Sequence, residues 1–348
     1  MLDVKNLVAL AKAAMKADKS APVAYKFGDE EFSYDQVQAT LREEMKALNS
    51  DYYTFQENKM TAYKLVAEII NEFLPKKVEG IYNMLAEIRQ YPQGTKPEFK
   101  VKSSASRMRA KTFVTRVGLE GEYEVFKLGG AQTITVEATA FGGAAQVGLE
   151  EVLDGRVDLA ELVDIVMEGL EDRIQEEIAK AMVAGTSQLP AANVVEWAGF
   201  DADEFDRLLK IADSYGAGKA TIYCDSMFAS KLIPSEINMM SDSMKEELWK
   251  NGHFAVYKMH NVVIIPNNIS DDHKSLQLDP SFCYIIPGTG MKPIMIGFEG
   301  DTLVDDYKGS DWSTTVKVYK KVGVAVHFTN DICVYHDTSL SKDLVKGE

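Results

Sequence analysis

The stretch DLAELVDIVMEGLEDRIQEEIAKAMVA, residues 158–184, carries the strongest helix signal in the sequence. Its apolar residues recur every three or four positions and share one helix face, while acidic residues lie off that face. At about 27 residues and about 1.5 Å per residue, the helix would be about 40 Å long. Asp158 can cap its start, and Gly185 is well placed to end it. The apolar stripe consists of Leu159, Val163, Val166, Leu170, Ile174, Ile178 and Met182.

The residues before this helix alternate with a period of two, which is typical of strands. The alternation covers residues 111–128 and again 132–141, and glycines between them supply turns or bulges. We predict a long two-stranded β-excursion whose arms, about 12 residues at about 3.3 Å each, reach about 40 Å. Because an isolated two-stranded ribbon is marginal in water, it needs a docking surface. A neighbouring subunit is one such surface; two strands within an ordinary sheet are the alternative.

Charge is divided unevenly between these two regions. Seven basic residues stand against three acids between Lys100 and Lys127, whereas residues 137–185 hold twelve acids and three bases. Opposite fields on adjacent elements favour contact between identical copies, with the basic ribbon of one meeting an acidic face of the next. Solvated charge without a partner is the alternative. The candidate intersubunit contacts are Arg107, Arg109, Lys111, Arg116, Glu120, Glu122, Lys127, Glu161, Asp164 and Glu168.

The N-terminal region, residues 1–98, is predicted to form a helical arm. One of its helices begins at about Thr61, and Pro75 should end or kink that helix, with residues 78–88 continuing beyond the break. An ordinary helical subdomain and an extended arm with short helices both fit this pattern. Residues 91–97, with two prolines and a glycine, form the clearest linker.

The part of the chain after the long helix alternates between helix and strand, which indicates an α+β fold. The predicted helices cover residues 201–215, 226–233 and 241–250. The predicted strands cover residues 220–224, a hairpin of 253–258 with 261–265, then 284–286, 293–298 and a closing strand 314–327 that could break at Gly323.

Composition excludes several classes of protein. The chain has 348 residues, 46% of them hydrophobic, so it can bury a sizeable core. Its formal net charge is −15, which argues against a module that grips nucleic acid but suits a wall that encloses it. The three cysteines are scattered and odd in number, which favours a reducing compartment. The N-terminus lacks the apolar run of a signal peptide and no stretch is apolar enough to span a bilayer, so we expect a soluble, intracellular protein.

Motifs for chemistry are missing from the sequence. It contains no GxGxxG, GxxxxGK[ST], GxSxG or HExxH pattern. Residues 288–290 are a lone Gly-Thr-Gly that we interpret as a turn, and the Asp-Asp-His at 271–273 as a solvated loop. A carboxylate pair brought together by folding stays open as an alternative. We therefore predict a protein that is not an enzyme, with no catalytic residues, cofactor or metal.

The order of these features resembles the tailed-bacteriophage major capsid proteins of the Hong Kong 97 fold. Residues 109–118, 123–128 and 141–145 are similar to that family's extended loop and its return, and residues 153–159 lead into a helix that resembles its spine helix. The resemblance covers about residues 100–340. It implies the following division: an N-terminal helical arm (1–98), an extended β-hairpin loop (99–150), the spine helix and peripheral domain (151–199), an axial domain (200–310) and a return to the peripheral domain (311–348).

The resemblance also implies a function. Pentamers and hexamers of this chain would tile an icosahedral shell around double-stranded phage DNA, without sequence-specific binding to the DNA and without a membrane. The protein would be assembled in the host bacterial cytoplasm and reside in the virion. Portal, scaffolding and decoration proteins are the other implied partners. The nearest alternative is an encapsulin-like bacterial nanocompartment shell.

Overall fold

The computed structural model describes residues 25–27, 30–32, 52–101, 132–147, 159–215, 218–233, 242–270, 273–288, 292–308 and 314–344. The helices are α1 (Tyr52–Tyr82), α2 (Leu159–Thr186), α3 (Ala202–Tyr215), α4 (Ser226–Ala229) and α5 (Asp242–Asn251). The strands are β1 (Tyr25–Phe27), β2 (Glu30–Phe32), β3 (Ala86–Tyr91), β4 (Glu98–Val101), β5 (Gln132–Thr135), β6 (Thr139–Val147), β7 (Val194–Trp197), β8 (Thr221–Cys224), β9 (Val256–Tyr257), β10 (His260–Ile264), β11 (Phe282–Ile286), β12 (Ile294–Lys308), β13 (Thr314–Val326) and β14 (Cys333–Asp337).

A six-stranded mixed sheet has the order β7-β14-β11-β8-β10-β9. Its central strands read as continuous apolar runs, as in the FCYII of β11, because both faces of the sheet are buried. On one face, Cys283 and Ile285 pack with α3 and α4; on the other, Tyr284 and Ile286 join the core that contains α2. The helix and strand alternation predicted for this region is confirmed, including the hairpin of β9 with β10.

A four-stranded sheet has the order β3-β12-β13-β6, in which β3 runs parallel to β12 and the other pairs are antiparallel. Helices α1 and α2 cover one face of it and complete a core that also reaches the six-stranded sheet. Strand β12 is longer than predicted, since it runs to Lys308 instead of ending at 298, and it pairs with β13 along most of its length. The closing strand β13 is not broken at Gly323, which lies opposite Gly297 in the regular register.

The long helix predicted from the opening stretch is present as α2. Leu170, Ile174, Ile178 and Met182 of the apolar stripe are all buried. Gly185 was expected to end the helix, but α2 continues to Thr186. The structure gives another reason for this glycine: a Cβ there would lie 3.0 Å from the Phe328 ring.

Two predictions near the N-terminal region were wrong. Pro75 was expected to end or kink the helix, and it does not end it: α1 continues through Pro75, because the nearby Leu74 and Val78 are fully buried and their packing outweighs the lost backbone hydrogen bond. The helix ends at Tyr82, so residues 86–91 form strand β3 instead of continuing the helix.

The second predicted arm of the β-excursion, residues 132–141, was expected to be one strand. It is divided at residues 136–138, where the chain passes from β5, paired with β4, into β6, paired with β13. Val136 is buried at this crossing and its N–H donates to the carbonyl of Pro97, which fixes the change of sheet. The first arm, residues 111–128, lies outside the described residues.

Candidate subunit contact surface

The four-stranded sheet is covered on one side and only half covered on the other. On that second side, the β4–β5 pair packs over its inner half, where Phe99 and Val136 bury Met295. A Cβ on Gly297 would lie 2.4 Å from Pro97, which shows how closely this pair approaches the sheet. Within the described residues, nothing covers the outer half of the same side.

We call this uncovered area the open sheet face, defined by the outward residues of three neighbouring strands. Leu303 of β12 is 51% exposed and Tyr307 is 65% exposed, whereas Thr302, which faces the opposite side of the sheet, is buried. The register places Tyr319 of β13 beside Leu303. The full set is Ala140, Gly142, Ala144, Leu303, Asp305, Tyr307, Lys317 and Tyr319.

The open sheet face is flat on its β6 side because the residues there are small. Ala140, Gly142 and Ala144 are exposed, and a Cβ on Gly142 would lie 2.8 Å from the carbonyl oxygen of Val318. On the β12 side, Lys317 lies over the Tyr307 ring with its Nζ 5.8 Å from the ring centroid. The face therefore combines small and large apolar groups with one cation and one carboxylate, a composition that suits contact with protein.

Other large apolar side chains are exposed at the edge of the six-stranded sheet and on α5. Val256 and Met259 lie in the β9–β10 hairpin at the edge of the six-stranded sheet and are 53% and 76% exposed. Trp249 of α5 is 92% exposed. The described surface thus carries large exposed apolar groups in at least two separate places.

The structure tests few of the contact residues predicted from sequence. Arg107, Arg109, Lys111, Arg116, Glu120, Glu122 and Lys127 lie outside the described residues. Glu161 and Asp164 lie in α2, but their side chains are not described, and Glu168 of α2 is exposed. The contact between a basic ribbon and an acidic helix therefore stays a prediction.

Several acids of α2 have partners within the same chain. Glu171 is buried and forms an ion pair with Lys77 of α1. Hydrogen bonds from Lys180 and Arg173 lower the pKa of Glu176 below its ordinary value. Part of the acidity that the sequence assigned to a partner-facing surface is thus neutralised internally, and this reduces the field that α2 presents outward.

Sequence reasoning missed the open sheet face because it ended the strand at residue 298. The Glu299-Gly300-Asp301 segment has the composition of a turn, but the structure shows a register shift there, with Gly300 at φ +67°. The strand resumes beyond it. The sequence of residues 302–307 gave no signal for this extension, because apolar and polar residues do not alternate there with the two-residue period of a strand.

In the described part of the chain, no cluster of three or more His, Cys, Asp or Glu side chains could hold a metal ion. None of the helices that the structure describes is both long and apolar enough to cross a membrane.

Comparison with known proteins identifies one family whose model matches most of the chain. The model of the family described as "SPbeta prophage-derived putative capsid protein YonB" matches residues 5–335. Comparison with curated protein sequences gave no match.

Solved structures that match most of this chain come from several sources. One titled Microbacterium phage Oxtober96 has 12% identity and a TM-score of 0.47, covering 72% of this chain and 89% of that one. The head of Helicobacter pylori bacteriophage KHP40 has 11% identity and a TM-score of 0.48, covering 75% and 91%. The SrpI encapsulin of Synechococcus elongatus has 9% identity and a TM-score of 0.45, covering 78% and 90%.

Proposed function

Because the chain belongs to the family of SPbeta prophage-derived capsid proteins, we propose that its copies assemble through the open sheet face into the wall of a phage head. The family match extends over almost the whole chain and supports the phage capsid predicted from sequence over the encapsulin-like alternative. The finer features of that prediction, pentamers and hexamers in an icosahedral shell around double-stranded DNA, are part of the proposal.

The open sheet face is the observation that carries the mode of assembly. An antiparallel sheet can leave one side in water when that side is polar. Here Leu303 and Tyr307 project from it instead, on the same side as the small residues of β6 across the intervening β13. Covering such a face with another copy removes apolar area from water, at about 25 cal/mol per Å². A contact between two different patches of identical chains closes into rings when the rotation between copies allows it.

The charge of the chain suits a container for DNA. With 53 acidic and 38 basic residues, the protein does not present the excess of cations that binding to phosphates requires. We expect it to enclose DNA without reading its sequence and to reside in the virion after assembly in the host cytoplasm. Portal, scaffolding and decoration proteins would be further partners, and the wall itself would perform no catalysis.

The proposal is tested by assembly of the purified full chain. We expect rings or shells in negative-stain micrographs and a mass distribution in sedimentation velocity that grows with protein concentration. The double variant Leu303→Asp/Tyr307→Asp places two carboxylates on the open sheet face and should abolish these particles, because burying unpaired charge is costly.

Lys210→Asp is the matched control, since it lowers net charge by the same two units on the exposed surface of α3, away from the sheet. It should assemble like the unmodified protein. A wild-type chain that stays monomeric across concentration and salt, or a double variant that assembles normally, would contradict the proposal.

A further inference from the structure

Two of the three cysteines lie directly opposite each other in the six-stranded sheet. The antiparallel register of β8 and β11 pairs Cys224 with Cys283, so both side chains project from the same face of the sheet. Helices α3 and α4 cover that face, and the two residues are 1% and 0% exposed. A single buried cysteine commonly serves as a small apolar residue of the core. Two that face each other can also react with one another.

The sheet holds this pair at the separation that a disulfide requires. Residues directly opposite in an antiparallel ladder have Cα atoms about 4.5–5.5 Å apart, and disulfides span Cα separations of about 4.4–6.8 Å. Strand β8 also pairs with β10, and strand β11 also pairs with β14, so neither strand can slide without breaking a second ladder. Rotation of the two side chains is therefore enough to bring the sulfur atoms together.

The third cysteine is near this pair but out of reach. Cys333 of β14 lies opposite Ile285, which is two positions along β11 from Cys283. Diagonal neighbours of this kind are about 7–8 Å apart, beyond the usual span of a disulfide. Cys333 is buried in the same core as the other two. The fold thus contains its own control, a cysteine with equal burial and no cysteine opposite it.

Burial keeps the facing thiols protonated while the sheet is closed. It raises the pKa of Cys283 well above its ordinary value, and the adjacent thiol of Cys224 raises this pKa further. Because the thiolate is the reactive form, the closed sheet should react slowly. The two cysteines are the terminal pair of the β8–β11 ladder, at the point where β8 ends. Local opening of that end of the ladder therefore exposes them without unfolding of the whole sheet.

We propose that Cys224 and Cys283 form a disulfide that locks β8 to β11 in an oxidising environment, with a low-molecular-weight disulfide as the oxidant. The thiolate of one cysteine attacks a sulfur of the oxidant, a mixed disulfide forms, and one thiolate of the oxidant leaves. The thiolate of the other cysteine then attacks the protein sulfur of the mixed disulfide. The Sγ–Sγ bond forms and the second thiolate of the oxidant leaves. The two cysteines lose two electrons and two protons, and the oxidant is reduced to two thiols.

The bond would join the two central strands of the six-stranded sheet. It closes the segment between Cys224 and Cys283, which carries α5 and the β9–β10 hairpin. Such a cross-link restricts the unfolded chain and stabilises the fold. In a reducing compartment the pair stays as two thiols. Both cysteines belong to a single copy, so this inference does not depend on the proposed assembly.

Counting free thiols in the purified full chain tests the proposal. Protein prepared under reductant is incubated with excess oxidised glutathione, then unfolded in denaturant and alkylated. We expect three alkylated cysteines before the incubation and one, Cys333, after it. The oxidised chain should be lighter than the reduced chain by two hydrogen atoms before alkylation. Proteolysis without reductant should release one pair of peptides joined through Cys224 and Cys283, and reductant should separate them.

Cys333→Ala is the matched control, because it removes a cysteine of equal burial and should leave formation of the bond unchanged. Cys224→Ala and Cys283→Ala should each retain both remaining thiols, since the closed sheet has no second cysteine opposite the one that is left. The oxidised wild type should unfold at a higher guanidinium concentration than the reduced wild type. Cys224→Ala should unfold at the same concentration in both buffers.

A folded wild-type chain that keeps three free thiols after prolonged incubation with the oxidant would overturn the proposal. So would a bond that includes Cys333, or modification by glutathione alone. A bond between Cys224 and Cys283 that leaves the unfolding midpoint unchanged would overturn its role as a lock. If an alanine variant fails to fold, the joined peptides and the unfolding midpoint of the wild type still decide the matter.

Discussion

The two sheets of this protein differ in how completely their own chain covers them. The six-stranded sheet is covered on both faces, with α3 and α4 on one side and α2 on the other. The four-stranded sheet is covered on one face by helices and on the other only over its inner half, within the described residues. The first sheet is completed by folding. The second leaves an apolar surface that another copy can complete.

The sequences of the two sheets record this difference. Strand β11 is apolar at every position, as a strand buried on both sides must be. The outer half of β12 instead carries polar and apolar residues on both sides, with Thr302 and Val304 inward and Leu303 and Asp305 outward. The comparison therefore predicts that substitutions in the first sheet act on stability and substitutions on the open sheet face act on assembly.

The largest expected effect is that of Phe205→Ala in the core of the six-stranded sheet. Phe205 is fully buried, and its ring centroid lies 5.3 to 6.3 Å from those of Phe200, Phe228, Tyr257 and Tyr335. Removing it leaves a cavity and should lower the free energy of unfolding by about 3–5 kcal/mol, measured by chemical denaturation.

Tyr307→Ala is the aromatic control for that experiment. Tyr307 is 65% exposed on the open sheet face, so its loss should change the stability of the unassembled chain by about 0.5 kcal/mol or less. Equal losses for the two variants would mean that the open sheet face belongs to the core of the single chain.

An intermediate effect is expected where the covered half of the four-stranded sheet meets β4 and β5. In Gly297→Ala the new Cβ would lie 2.4 Å from Cβ and 2.7 Å from Cγ of Pro97, whose ring cannot turn away. The contact should lower the free energy of unfolding by about 1–3 kcal/mol. Gly143→Ala is the control, because a Cβ on Gly143 meets nothing within 4 Å, and it should leave stability almost unchanged. A tolerated Gly297→Ala would show that the β4–β5 pair is only loosely attached.

The pattern of apolar residues in the sequence predicted those helices and strands whose buried positions repeat regularly along the chain. The stripe of α2 and the apolar runs of β8 and β11 are confirmed because their burial repeats regularly along the chain. The mixed helix and strand fold is confirmed, and the family match confirms the resemblance to phage capsid proteins.

The elements that periodicity missed depend on contacts between distant residues. Pro75 stays in a helix because buried neighbours hold it there, and Gly185 packs against Phe328 instead of ending α2. The division at residues 136–138 needs Pro97, far away in sequence, as a hydrogen-bond acceptor. The buried Lys320 likewise donates a hydrogen bond to the side chain of Asn71, 249 positions away, so no local pattern could have indicated this contact.

The smallest effect on stability, and the sharpest test of the comparison, is expected from Leu303→Cys. The natural cysteines do not interfere, because Cys224, Cys283 and Cys333 are all buried in the six-stranded sheet. Burial raises the pKa of Cys333 to about 12 and that of Cys283 well above its ordinary value, so neither presents a thiolate in the folded chain.

A cysteine at the 51% exposed position 303 should be the thiol that a maleimide labels rapidly, with a stability change within about 0.5 kcal/mol. Assembly through the open sheet face would cover this thiol. Its labelling rate should therefore fall by about tenfold or more in sedimented particles compared with the unassembled chain. As a control, unfolding in denaturant should make all thiols reactive. Rapid labelling that persists in intact particles would place the contact between copies elsewhere on the surface, and slow labelling in the unassembled chain would mean that the face is already covered by its own chain.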